Sequence, residues 1–224
     1  MTYQANCNIQ FSEILDRLNI VVPPRGRQRT TEHCEKWTLH KALSILHSHN
    51  MISFPISIKK SEKPDYWIEM SGKTYGVELT EIIHPDYARV QTLPEAQNDK
   101  SVLDPSLFKW GTETRSTEEL RQIAAQDELT GEPWIGDNVE REFVQSIVDT
   151  VVAKRKKLTA HYKRAEVDVL LIYHNQSTPA LDFTQGLEYT KQKLVSCWGQ
   201  GFNVVAVIKY EQLFVFTESS ATIF

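Results

Sequence analysis

Residues 64–80, PDYWIEMSGKTYGVELT, hold two acidic side chains at a spacing that can do chemistry. Asp65 opens one β-rich run and Glu78 lies in the next, with Ser71, Gly72 and Lys73 as a tight turn between them. Strand alternation puts Glu78 and Thr80 on one side of their strand and Val77 and Leu79 on the other. A carboxylate in the middle of an apolar strand is costly unless something pairs with it. A hard divalent cation would do so. Mg2+ takes oxygen ligands, commonly one or two carboxylates plus waters and a substrate phosphate. Asp65, Glu78 and the backbone carbonyl of Leu79 would make such a partial shell for Mg2+ or Mn2+.

The elements that must position these residues follow from periodicity and punctuation. Residues 11–19 read as a short amphipathic helix, and Pro23, Pro24 and Gly26 mark a loop after it. Thr30 or Thr31 can cap a helix running to about His49, with Leu39, Leu43 and Leu46 on one stripe. Strands are expected at 52–59, 65–70 and 74–82. Residues 84–138 carry four prolines and little strand signal, and read as an insertion. Within it, Ser116 and Glu119 match a capping box. A long helix is expected from about Asn138 to Lys163, with Phe143, Ile147, Val151, Lys154 and Leu158 on one stripe. Glu140 and Glu142 read as solvated acids of its first turn. A continuous apolar strand at 167–174, a helix at 184–198 and strands at 203–210 and 213–217 complete the chain. This order predicts an α/β sandwich around a mixed sheet.

Composition bounds the function classes. The 224 residues are 41% hydrophobic and 24% charged, which suits one globular domain, 1–224, with its own core. No apolar run is long enough to span a membrane, and residues 1–15 lack the pattern of a signal peptide. Three scattered cysteines, with no C-x-x-C pair, suit a reducing cytoplasm rather than a disulfide frame. A net charge of −4 argues against bulk electrostatic coating of nucleic acid but leaves room for local basic clusters. Two exist, one at Arg25, Arg27 and Arg29, the other at 154–157. His33, His40 and His47 recur every seven residues. Two helical turns, about 10 Å, separate neighbours, so they read as a polar stripe rather than one metal site.

The segment 64–80 resembles the PD-(D/E)XK nuclease superfamily, the restriction-endonuclease-like fold. That pattern is an acidic residue after a proline at a strand start, a hairpin, then (D/E)-x-K on the partner strand. Pro64-Asp65 and Glu78-Leu79 match it, and Thr80 stands in place of the lysine. The resemblance covers roughly residues 30–83 and 138–210, in the order helix, hairpin, helix, strand, helix, strand. It implies an α/β three-layer sandwich, a central mixed β-sheet flanked by helices. It also implies metal-assisted hydrolysis of phosphodiester bonds, with DNA the expected substrate and Mg2+ or Mn2+ held by Asp65, Glu78 and Leu79.

On the same resemblance, the basic role would pass to the helix at 138–163. Lys154 lies there on the inward stripe, and Lys157 follows one turn later. Glu35, one turn before Leu39, would help hold the metal or its waters, with Glu32 in reserve, and the Thr80 hydroxyl could touch a metal-bound water. Arg25, Arg27 and Arg29 would meet backbone phosphates, which position a substrate without reading its sequence. Many relatives of the fold cut two strands as homodimers. Two other readings stay open. One is a catalytically silent copy of the fold that binds nucleic acid or protein, which the Lys-to-Thr departure favours. The other is an unrelated α/β domain carrying the motif by chance.

Overall fold

In a computed structural model, residues 2–26, 28–97, 102–161, 163–199 and 201–224 are described. One eight-stranded sheet runs through the molecule, its strands neighbouring one another in chain order. They are β1 (Thr2–Ala5), β2 (Ile56–Lys60), β3 (Tyr66–Met70), β4 (Lys73–Ile82), β5 (Val167–His174), β6 (Val204–Lys209), β7 (Gln212–Thr217) and β8 (Ala221–Ile223). Strands β4, β5 and β6 are mutually parallel, and every other pairing is antiparallel. The sheet is therefore mixed, as expected.

The parallel joins use helices. Between β4 and β5 lie α3 (Pro85–Val90), α4 (Thr117–Ala124) and α5 (Asn138–His161); α6 (Phe183–Leu194) lies between β5 and β6. Two helices precede the hairpin, α1 (Asn8–Leu18) and α2 (Thr31–Ser48). Strand alternation divides the core between the two faces of the sheet. Leu171, Ala206 and Ile208 pack with Phe11 and Leu18 of α1 and with Leu39 and Leu43 of α2. Their neighbours Leu170, Ile172, Val205 and Val207 pack instead with Phe143, Ile147 and Val151 of α5 and with Leu194 of α6. Burial on both faces is why β5, Asp168 apart, and β6 read as largely apolar runs.

Local chemistry sets the element ends. Thr30 caps α2, accepting from the His33 amide while the His33 ring accepts from the Thr30 amide. Ser116 and Glu119 form the expected reciprocal box on α4. Ser71 and Gly72 both adopt positive φ between the paired residues Met70 and Lys73, the geometry of a two-residue hairpin turn. Strands β1 and β8 add the two sheet edges that periodicity alone does not reveal.

The described residues of the stretch 84–138 have a small core of their own, Val90, Phe108, Leu120 and Ala124. Polar bonds fasten it to the body. The expectation that Glu140 and Glu142 are solvated is overturned here. Glu140 is 5% exposed and accepts from the Asp182 amide. Glu142 accepts from the Trp110 amide, the Trp134 indole and the Gln176 side chain. The chain folds the insertion back over the start of α5, where Glu142 anchors it through Trp110 and Trp134, while Glu140 ties α5 to the start of α6. Cys7, Cys34 and Cys197 are all free thiols. Among the described residues, no helix is long and apolar enough to cross a membrane.

Candidate active site

Strand β4 is twice as long as its partner β3, and the site is built on the difference. Tyr66, the first residue of β3, pairs with Val77. From Glu78 to Ile82, β4 is paired with β5 alone. The Asp65 side chain takes up the backbone thus exposed: its Oδ2 accepts from the Leu79 amide at 2.7 Å. Its own carbonyl accepts from the Ser61 amide at 2.8 Å, which holds the residue at the strand entrance.

Lys154 reaches the same edge from α5. Its Nζ donates to Glu78 Oε1 at 2.9 Å and to the Leu79 carbonyl at 3.3 Å. Asp65, Glu78, the Leu79 backbone and Lys154 therefore meet at one place. Glu78 is 6% exposed, so its charge needs a cation close by. Burial pushes the Asp65 carboxyl up to about 6, the nearby Glu78 and Glu35 charges add to the rise, and the Leu79 amide and Lys60 oppose it.

These groups line one cleft of about 780 Å³. Thr31, Cys34, Glu35 and Thr38 enter it from the first two turns of α2, at the spacing that puts side chains on one helix face. Thr80 and Glu81 continue the floor along β4, and Ala88 and Thr92 bring a wall from the insertion. Arg25 and Arg29 close the far end. Both guanidiniums bond Glu81 Oε1, at 2.5 and 3.2 Å, and the Asn175 amide donates to the same oxygen at 2.7 Å.

The residues nominated from the sequence fall as follows. Glu35, Asp65, Glu78, Leu79, Thr80, Lys154, Arg25 and Arg29 all line this cleft. Lys157 is exposed one turn beyond Lys154 and does not line it. Arg27 lies outside the described residues. Glu32 is exposed in the first turn of α2. The three histidines of α2 take separate partners: His33 caps its helix, His40 meets Ser44, and His47 meets Asn8.

Sequence reasoning missed two residues. Lys60, at the end of β2, is ion-paired with Glu35 and lies over the Tyr66 ring at 4.6 Å. Glu81 holds the two arginines. Alternation along β4 could have flagged Glu81 as an acid on the strand face opposite Glu78.

As a metal shell the donors fit. Among the described residues, no three His, Cys, Asp or Glu side chains are grouped to hold an ion. The available set is two carboxylates and a carbonyl, all hard oxygens, and a small cation such as Mg2+ usually takes few protein ligands and keeps its waters. The ammonium already bonded to Glu78 and Leu79 shows that their oxygens converge on positive charge. No family model matches the chain, and no curated protein or solved structure is significantly similar to it.

Proposed function

We propose that this protein is a Mg2+-dependent phosphodiesterase of the restriction-endonuclease-like fold that hydrolyses nucleic acid, with DNA as its substrate. One observation carries the reading: Asp65, Glu78 and the Leu79 carbonyl gather on the freed edge of β4, with the Lys154 ammonium among them. The element order and the mixed sheet between two helical layers support it.

Asp65, Glu78 and the Leu79 carbonyl would hold the ion. When bound, it supplies a water of lowered pKa and neutralises charge at the phosphate. The protein's own groups do the rest. Lys154 offers positive charge to the phosphoryl oxygens as negative charge builds on them. Arg25 and Arg29, held side by side by Glu81, seat a neighbouring phosphate at the far end of the cleft. Glu35, steadied by Lys60, can accept a hydrogen bond from a water and so fix its orientation. The Thr80 hydroxyl on the cleft floor adds a further polar contact.

The test is cleavage of supercoiled plasmid, single-stranded DNA and RNA in Mg2+ or Mn2+. Nicking of DNA by the wild type is expected, with a loss of about a hundredfold or more in Asp65→Asn and in Glu78→Gln. A wild type that leaves all three substrates intact, yet binds DNA through Arg25 and Arg29, would instead support a silent binding module. The closed ion pair of Lys154 with Glu78 favours that second reading.

A further inference from the structure

Resting on the reading of Asp65, Glu78 and Leu79 as a metal shell, we infer that Lys154 is a tethered stand-in for the divalent cation. Its ammonium occupies the same two oxygens, gives them up when a cation is bound, and is thereby freed to meet the substrate phosphate.

The geometry carries this directly. Lys154 Nζ lies 2.9 Å from Glu78 Oε1 and 3.3 Å from the Leu79 carbonyl, one side-chain and one backbone oxygen of the proposed shell. A divalent ion drawn to those two oxygens and an ammonium held on them repel each other at close range, and the doubly charged ion is the stronger competitor for them. Lysine suits such an exchange. It is a compact charge on a flexible four-carbon stem, whereas arginine is a rigid fork. The side chain is 20% exposed beside a cleft of about 780 Å³, so the displaced ammonium has somewhere to go. Glu78, at 8% side-chain exposure, has the Lys154 ammonium beside it, a charge that can neutralise it from within the chain. Two consequences follow. Metal binding is weakened by the bond that must first break. The lysine is delivered to the phosphate side of the cleft only in the metal-bound state, which couples loading of the site to its completion.

The experiment is calorimetric titration of Mn2+ into the full chain, wild type against Lys154→Met, with thermal unfolding in chelator and in Mn2+. Methionine keeps the length of the stem and its packing on α5. Removing one charged hydrogen bond corresponds to about a ten- to hundredfold gain in Mn2+ affinity for Lys154→Met. Its melting temperature should fall below the wild type in chelator and rise more steeply on adding Mn2+. An equal or weaker affinity in the variant, with the wild type still binding, overturns the exchange but leaves the metal shell standing. Absence of Mn2+ binding in both overturns the exchange and the metal shell together. Should Lys154→Met fail to fold, the Lys154 side-chain nitrogen resonance in the wild type decides. A shift on Mg2+ addition is expected, and an unmoved signal with Mg2+ bound overturns the exchange.

Discussion

Asp65 lies between opposing demands. Burial, reinforced by Glu78 and Glu35, raises its carboxyl from 3.8 to about 6, while the Leu79 amide and Lys60 pull the other way. The folded chain therefore holds this proton more tightly than the unfolded chain, and the associated stability is present below about pH 4 and lost as pH rises through about 6. Urea unfolding of the metal-free protein across that window should show Asp65→Asn gaining on the wild type as pH rises, because asparagine still accepts from Leu79 but never ionises. Parallel curves would contradict the assignment. The same residue was accessible to sequence reasoning, and so were Glu78 and Lys154. A carboxylate amid Val77 and Leu79, and a lysine on the stripe of Ile147, Val151 and Leu158, both break their local pattern. Lys60 breaks none. It reads as an ordinary strand-end lysine, and its partner Glu35 lies on another element, 25 residues away.

Among the elements, the mismatch between β3 and β4 does the most for the site. A hairpin of equal arms would bury the Leu79 amide and carbonyl in a ladder; the shorter β3 frees them for Asp65 and Lys154. Periodicity finds both strands, but the register that ends pairing at Val77 is a property of the sheet, not of either segment alone. Helix α5 has a double task. Its later turns deliver Lys154, and its N-terminal end holds the insertion through Glu142. Replacing Glu142 by alanine would leave the Trp110 amide, the Trp134 indole and the Gln176 amide short of an acceptor. We expect a loss of about 2–4 kcal/mol by denaturant unfolding. Faster proteolysis should be confined to residues 84–138. Cleavage spread evenly over the chain would place the anchor elsewhere. No sequence pattern marks this role: an acid in a helix's first turn looks like a dipole partner, and Glu142's donors lie 8 to 34 residues away.

For the molecule as a whole, the order of helices and strands was enough to predict an α/β sandwich on a mixed sheet, because β5 and β6 carry apolar residues on both faces. The edge strands β1 and β8 escaped prediction because four and three residues are too few to establish a period. The cleft needed the full fold. It joins α2, the β3 entrance, β4, the insertion and α5, segments spread from Arg25 to Lys154. The central claim is that Asp65 and Glu78 hold one divalent ion between them. The most direct test is anomalous diffraction from a crystal soaked in Mn2+. A peak within about 2.1 Å of an Asp65 oxygen, a Glu78 oxygen and the Leu79 carbonyl is predicted. A Mn2+-saturated crystal with no peak there, and Lys154 still on Glu78, would contradict it.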